Sequence, residues 1–313
     1  MTRNYPITLN VNTISNAPLI SFLTVNFYQY EITIQFLESL SLLSYSNWEC
    51  IVVNNGEPNP KFETDVKNFD KTSYLETGSN LGFAGGNNAG VELCQGEYIY
   101  FINNDTEVTK GLLEPILELF EAKPSIGMVS SKIIYHDKKN IIQYAGASEL
   151  NPYTMRNFTI GAGEKELNQF NDSYPTSFGH GASMVVPISV IERVGLMYND
   201  YFLYYEEYDW CQRIKNAGFE IYYCGQSFIY HKESVSTGQN SPLKIYYLTR
   251  NRLLFARRNY TSTVSFVSIV YFIFFAAPLH SSKHVVKGEF KQLQAIWKGV
   301  IWNVFHSKKV KTT

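Results

Sequence analysis

The chain has 313 residues, of which 45% are hydrophobic and 18% are charged, so it is a globular protein with room for one large core and a smaller appendage. The net charge of −1 conceals two segments of opposite sign. Residues 1–239 carry 15 Lys and Arg against 27 Asp and Glu, whereas residues 240–313 carry 12 against one. The four cysteines include no C-x-x-C pair, which argues against a zinc site and a disulfide framework.

The chain begins with a polar extension, residues 1–18, which has one Arg and no apolar segment typical of a signal peptide. Together with the scattered cysteines, this predicts a cytoplasmic protein. A strand is then predicted at residues 19–25, a helix at 31–43 and a second strand at 50–53. A strand-helix-strand succession predicts an α/β fold with a mostly parallel, doubly wound sheet.

A glycine-rich segment comes next and is followed by a predicted short helix at residues 89–94. It contains Gly82, Phe83, Gly85, Gly86, Asn87, Asn88 and Gly90. Such a segment can bring backbone N–H groups to a phosphate, although a glycine cluster alone is more often a turn. The spacing differs from G-x-G-x-x-G and no Walker lysine follows, which disfavours a nicotinamide enzyme or a P-loop ATPase.

Polar residues follow the next predicted strand, residues 98–102, at its carboxyl end. These are Asn103, Asn104 and Asp105. An acidic residue after a strand is usually a turn or a helix cap. Ligands of open α/β sheets bind at this end of the strands, however, so an adjacent glycine-rich segment favours a phosphate and cation site.

The second half of the catalytic region predicts helices at residues 112–121, 188–194 and 208–217, and strands at residues 181–186, 221–223 and 228–230. The mixed segment at residues 126–178 is expected to be rich in loops. Glu206, Glu207 and Asp209 stand at the start of one of these helices. By themselves they are typical of a solvated helix start that complements the helix dipole. His231 by itself is typical of a packed or surface histidine.

Residues 241–313 predict a basic, aromatic-rich helical region. The apolar run at residues 263–279 has 17 residues, short of the ~20 that a spanning helix needs, and residues 294–309 place two Trp among lysines. This combination predicts contact with an anionic membrane surface rather than with nucleic acid. The alternative is a helical hairpin that packs on the catalytic domain or forms a homodimer.

Four ordered segments resemble the inverting glycosyltransferases of family 2, and within it the bacterial rhamnosyltransferase-like group. They are SNLGFAGGNN at residues 79–88, FINNDTEV at 101–108, FLYYEEYDWCQR at 202–213, and His231 followed by YYLTRN at 246–251. The resemblance covers about residues 19–260. It implies a GT-A fold over residues 19–240, with a nucleotide-sugar site over the first half of the sheet and an acceptor site over the second.

The resemblance also implies roles for single residues. Contacts to the donor base, ribose and phosphates fall on Val25, Asn26, Tyr28, Asn54, Gly82, Phe83, Gly85, Asn87, Asn88, Asn103, Asn104, Asp105 and Arg250. Asp105 and His231 would hold Mg²⁺ or Mn²⁺. Glu207 would be the catalytic base, with Asp209 as the alternative. Asn54 and Asn103 each stand where the family usually has Asp.

The expected activity is transfer of a sugar from a nucleotide diphosphate donor, by resemblance dTDP-L-rhamnose, to a glycan or polyprenyl-linked glycan. A UDP-hexose or UDP-galactofuranose donor and a non-catalytic nucleotide-sugar-binding protein are the alternatives. We expect peripheral association with the inner face of the plasma membrane. Because the donor motifs precede Tyr260, we also expect the nucleotide site to form without residues 261–313.

Overall fold

The computed structural model describes residues 17–232 and 240–306, which form a mixed ten-stranded sheet flanked by helices. The strands are β1 Ile20–Asn26, β2 Trp48–Asn54, β3 Thr72–Glu76, β4 Tyr98–Ile102, β5 Thr106–Val108, β6 Ile126–Tyr135, β7 Ile142–Tyr144, β8 Tyr174–Pro175, β9 Ser183–Pro187 and β10 Glu220–His231. The first helices are α1 Tyr30–Leu40, α2 Pro60–Lys67, α3 Gly82–Val91, α4 Glu114–Ala122, α5 Ile188–Val194 and α6 Glu206–Asn216. Then come α7 Pro242–Asn259, α8 Ser262–Tyr271, α9 Ala277–Val286 and α10 Phe290–Phe305. The predicted extension at residues 1–18 lies almost entirely outside the described residues.

The sheet has the strand order β3-β2-β1-β4-β9-β6-β10-β5. Its first four strands are parallel, as the strand-helix-strand beginning predicts. β9 runs antiparallel between β4 and β6, so the second half is mixed. β6 and β10 are parallel to each other, and through the two antiparallel steps they are also parallel to β4. The carboxyl ends of β1, β4, β6 and β10 therefore meet at one edge, where the site lies.

Helix α3 begins earlier than the sequence predicts, at Gly82 rather than at residue 89. Its glycines lie inside the helix and let it approach the sheet: a Cβ on Gly90 would stand 2.3 Å from Leu23 Cδ1. At Gly82, where φ is +75°, a Cβ would stand 2.2 Å from the Phe202 carbonyl oxygen. The glycine-rich segment is thus a closely packed helix start rather than an open turn.

The C-terminal helices pack on α7, which belongs to two cores. Leu254 and Phe255 of α7 lie in the main core. A smaller core joins Leu253 with apolar residues of the following helices, namely Phe272, Ala276, Ala277, Ile296 and Val300. Asn303 of α10 also donates a hydrogen bond of 2.9 Å from Nδ2 to the Arg250 carbonyl oxygen. Removing residues 261–313 would therefore expose the side of α7 that holds Leu253, while Leu254 and Phe255 would keep their contacts with the main core.

The outer face of the C-terminal helices remains apolar and exposed. Phe266, Phe274, Phe275, Phe290 and Phe305 are each 64–79% exposed. The two tryptophans of α10, in contrast, are only half-buried and contact the inner cores, so the exposed rings are phenylalanines and not the predicted Trp-rich face. The continuous helical stretch Ser262–Val286 is long and apolar enough to cross a membrane by length and composition, and 28% of its most apolar window is buried.

Candidate functional site

A cavity of about 440 Å³ opens at the carboxyl edge of the sheet, between the strand ends and α6. Eight residues singled out from the sequence line it: Val25, Gly82, Phe83, Asn103, Asn104, Asp105, Glu207 and His231. They come from five separate segments of the chain. The fold therefore brings the predicted strand-end carboxylate, acidic helix start and late histidine to one space.

Asp105 and His231 lie next to each other in the lining of this cavity. Asp105 Oδ1 lies 3.1 Å from His231 Nε2, and both side chains are at least 92% buried. On the other side of the ring, His231 Nδ1 lies 2.8 Å from Gln143 Oε1. An oxygen at Nδ1 favours the tautomer that carries its proton there, so the Nε2 lone pair points towards Asp105.

This pair fits a divalent cation. Asp105 Oδ1 is buried and has no hydrogen-bond partner, and a buried carboxylate oxygen without a partner is costly unless a cation or donor meets it. An oxygen and an imidazole nitrogen are suitable ligands for Mn²⁺ or Mg²⁺. Within residues 17–232 and 240–306 no group of three or more His, Cys, Asp and Glu could hold a metal. The remaining ligands would come from Asn103, water or a bound diphosphate.

Glu206 and Glu207 begin helix α6 on the opposite wall of the cavity. Burial raises the pKa of Glu207 to about 7, against an ordinary value of 4.5, although backbone N–H groups at the helix start partly offset this. Burial and the neighbouring Glu207 also raise the pKa of Glu206. The Oε2 atom of each side chain is buried without a hydrogen-bond partner. A carboxylate with a pKa near 7 suits a general base at neutral pH.

Asp209 has a different environment. It is fully buried, and its carboxylate accepts hydrogen bonds from Tyr201 Oη at 2.9 Å, Arg213 Nε at 2.9 Å and Asn259 Nδ2 at 2.8 Å. It does not line the cavity. The partners occupy both carboxylate oxygens, so the alternative base is engaged in holding α6 against its neighbours.

Arg250 and Asn251 hold the loop before α6. Three residues of this loop, Phe202, Tyr204 and Tyr205, have φ between 63° and 75°, which side chains other than glycine rarely adopt. Asn251 Nδ2 donates to the carbonyl oxygens of residues 201, 203 and 204 at 2.7–2.9 Å. These contacts fix the loop that presents Glu207.

The Arg250 guanidinium is directed at the same loop. It donates from Nη2 to the carbonyl oxygens of Asp200 and Tyr201, each at 2.6 Å, and lies over the rings of Tyr247 and Trp302. It does not line the cavity. In this structure Arg250 supports the loop from behind the cavity wall, and its expected contact with the donor diphosphate stays a prediction.

Several other predicted donor contacts lie behind the cavity wall. Asn26 Nδ2 donates to Asn54 Oδ1 at 2.8 Å, and both side chains are fully buried. Asn87 Nδ2 donates to the Phe83 carbonyl oxygen, and Asn88 Nδ2 donates to the carbonyl oxygen of residue 197. Gly85 faces neighbouring side chains, and Tyr28 is exposed outside the cavity. In this structure these residues shape the wall and do not form its surface.

The cavity also contains residues that the sequence analysis does not single out. These are Phe27, Asn55, Asn80, Gln143, Tyr144, His180 and Lys244, among others. Burial and then the nearby His231 lower the pKa of His180 to about 3, so this ring is neutral. Gln143 and Tyr144 come from β7, Lys244 from α7, and the others from loops. His180 stands between two glycines, a local signal that could have indicated a close backbone approach.

A second cavity of about 330 Å³ shares part of its lining with the first. Tyr204, Glu207 and Tyr208 line both cavities. Glu207 is therefore the acidic side chain that both cavities share among the described residues. Its position suits a base that acts between two ligands.

Solved structures with a similar fold include glycosyltransferases of the GT-A type. The mannosyltransferase of Pyrobaculum calidifontis in complex with GDP-Man and Mn²⁺ matches with a TM-score of 0.55 and 11% identity, over 94% of this chain and 89% of that chain. S. aureus TarS in complex with UDP matches with a TM-score of 0.54 and 12% identity, over 84% and 75%. The fold is therefore the GT-A fold, as the sequence resemblance implies.

Characterised relatives also include glycan-building enzymes. The low-salt glycan biosynthesis hexosyltransferase of Haloferax volcanii is 25% identical over 202 residues, 62% of this chain and 63% of that protein. The N-acetylglucosaminyl-diphospho-decaprenol L-rhamnosyltransferase of Mycobacterium tuberculosis is 23% identical over 226 residues, 66% of this chain and 73% of that protein. The sequence profile described as Glycosyl transferase family 2 matches residues 21–195, more than half of the chain. The chain thus belongs to glycosyl transferase family 2.

Proposed function

We propose that this chain is a metal-dependent, inverting glycosyltransferase that moves a sugar from a nucleotide diphosphate to a glycan or a polyprenyl-linked glycan. The carrying observation is the position of Glu207, which lines both cavities and shares the first of them with Asp105 and His231. In a single displacement the base, the acceptor hydroxyl and the departing diphosphate must lie roughly in line. A base between two cavities provides that order.

Each side chain then has a defined part in the transfer. Glu207 takes the proton of the acceptor hydroxyl as that oxygen attacks the anomeric carbon from the face opposite the diphosphate. Asp105 and His231 would hold Mg²⁺ or Mn²⁺, which neutralises charge on the leaving diphosphate. Gln143 keeps the His231 ring oriented. Asn251 holds the strained loop that places Glu207.

The donor we favour is dTDP-L-rhamnose. The resemblance to the rhamnosyltransferase-like group supports it, as does the named activity of the mycobacterial relative. The rivals are a UDP-hexose and UDP-galactofuranose, and the structural relatives solved in complex with GDP-Man or UDP show that one fold accepts several bases. A role in cell-surface polysaccharide synthesis follows from the acceptor class.

The expected result of a donor screen is a rise in melting temperature with one nucleotide sugar, only when Mn²⁺ or Mg²⁺ is present. A ligand that binds the folded state alone stabilises it by RT ln(1 + [L]/Kd), about 2.7 kcal/mol at 100 Kd. The panel contains dTDP-L-rhamnose, UDP-hexoses, UDP-galactofuranose and GDP-mannose. Release of the nucleotide diphosphate from the stabilising donor would separate an enzyme from a non-catalytic binding protein. Absence of any shift across the panel would contradict the proposal.

We also propose that the C-terminal helices hold the enzyme at the inner face of the plasma membrane. The exposed phenylalanines of α8 to α10 offer an apolar face. Lys287, Lys291 and Lys298 are exposed on or next to the same helices, in a segment whose net charge is +11. Basic and aromatic side chains together favour an anionic lipid surface. A homodimer formed through the same face is the rival explanation.

Neutralising Lys287, Lys291 and Lys298 to Gln is expected to weaken binding to phosphatidylglycerol vesicles by about 3 kcal/mol, on the order of 100-fold, because each surface charge contributes about 1 kcal/mol. Vesicle sedimentation at low and high salt measures this. The matched control is Lys61→Gln and Lys67→Gln on α2, which lies at the other end of the chain. If the wild-type chain ignores anionic vesicles at low salt and sediments as a dimer, the face is a dimerisation surface.

A further inference from the structure

The second cavity has a positive end that the proposed base and metal do not use. Arg156 and Arg252 line this cavity and do not line the first. Neither side chain forms an ion pair with a carboxylate within the described residues, where other cations such as Lys61 and Arg213 do. Two unpaired guanidinium groups in one cavity are an arrangement that an anion would stabilise.

The geometry around Arg252 leaves it able to bind such an anion. Its Nε donates to the Tyr205 hydroxyl at 3.1 Å, and its guanidinium lies 5.3 Å from the centre of the Phe272 ring. These contacts orient the group while both Nη atoms keep donors for another partner. The amide Nδ2 of Asn157, which also lines the cavity, is buried without a hydrogen-bond partner. A third donor is therefore available beside the two arginines.

More positive charge surrounds this end of the cavity. Burial lowers the pKa of His280, and the charges of Arg252, Arg156 and Lys283 lower it further, so these three cations all lie near His280. The contact between Arg252 and Phe272 also places the cavity next to the apolar stretch Ser262–Val286. Phe272 is itself buried, so the positive end lies against the inner side of this stretch.

We propose that Arg156, Arg252 and Asn157 bind the phosphate or diphosphate group of a lipid-linked acceptor, whose sugar hydroxyl reaches Glu207 at the other end of the same cavity. The inference rests on the proposed function, since it names the acceptor class of that site. Guanidinium groups match phosphoryl oxygens in pairs of hydrogen bonds. The apolar tail of the acceptor would leave along Ser262–Val286. The stretch Ser262–Val286, the two arginines and Glu207 would then contact successive parts of one acceptor: its tail, its diphosphate and its sugar.

The test uses farnesyl diphosphate as the probe and the full chain in EDTA, which prevents metal-mediated binding at Asp105. Calorimetry should show binding to the wild type, at least about 10-fold weaker binding to the Arg156→Gln/Arg252→Gln variant, and unchanged binding to Arg193→Gln, an exposed control outside both cavities. Arg156→Gln alone should weaken binding without loss of thermal stability, because Arg156 is exposed. Inorganic pyrophosphate should bind more weakly than the lipid diphosphate with the same dependence on the arginines.

Two results would overturn the inference. One is equal affinity of the wild type and the double variant for farnesyl diphosphate. The other is a double variant that no longer binds phosphatidylglycerol vesicles but keeps its affinity for farnesyl diphosphate. In that case the arginines contact lipid headgroups. Donor binding with Mn²⁺, measured on the wild type, reports the proposed function separately. A chain that binds the diphosphate through these arginines but binds no nucleotide sugar would keep the anion site and lose the glycosyltransferase proposal.

Discussion

Replacing Glu207 with glutamine is expected to lower turnover by about 10²–10⁴-fold while leaving donor affinity unchanged, because a positioned general base contributes that much and Gln cannot accept the proton. Single-turnover measurements with donor and acceptor, together with donor titration, separate the two effects. Since burial raises the pKa of Glu207 to about 7, the wild-type kcat/KM should rise with pH through about 7. The rising limb should disappear in the variant.

The matched control is Asp209→Asn. Its carboxylate accepts three hydrogen bonds inside the protein, so the substitution should lower the melting temperature, whereas Glu207→Gln should not. The unfolded chain releases the Glu207 proton near 4.5 and the folded chain near 7, so this carboxyl lowers folding stability as the pH rises between those values. An uncharged Gln removes that cost. A Glu207→Gln enzyme with full activity, beside a folded but inactive Asp209→Asn, would transfer the base role to Asp209.

Replacing Asp105 with alanine is expected to abolish metal-dependent donor binding. The buried Oδ1 atom has no hydrogen-bond partner, so its loss removes a ligand and leaves the diphosphate charge uncompensated. The loss should exceed about 10-fold, since partners in the outer shell of a metal alone change metal affinity by 10- to 100-fold. Calorimetric titration of donor with and without Mn²⁺ measures it.

Two further variants interpret that result. His231→Ala should weaken the same binding less, because it removes a neutral ligand and not a charge. Glu107→Ala is the control, since Glu107 lies nearby but pairs with Lys139 and His136 outside the cavity. Wild-type donor affinity in Asp105→Ala would contradict the metal assignment. A melting temperature far below that of Glu107→Ala would instead show that Asp105→Ala is misfolded.

Much of the fold could be predicted from local pattern. The buried strand β4 is a continuous apolar run and β1 and β2 are largely apolar, because helices or other layers cover both faces of the sheet. The predictions failed where local pattern competes with packing. The start of α3 at Gly82 was missed, since glycines usually end helices, and here they are required by contact with the sheet. β6, the long strand Ile126–Tyr135, was expected to be part of a loop-rich region.

In the candidate site, too, the residues that could be predicted are those that belong to a local motif. Asp105, Glu207 and His231 were predicted because each belongs to a recognisable segment, and the structure brings them to one cavity. Gln143, in the short strand β7, and His180, in a loop, belong to no motif. The sequence also could not distinguish Glu207 from Asp209, which are two positions apart on one helix.

By itself, the sequence determined that this chain has an α/β core, a strand-end carboxylate, an acidic helix start and a basic, apolar C-terminal region. These properties are local, since hydrophobic period and residue type carry them. Only the tertiary structure decided which carboxylate faces a cavity and which is held by neighbours. It also placed Arg250 behind the loop that precedes α6. Such choices depend on contacts between residues far apart in the chain, and no local pattern encodes them.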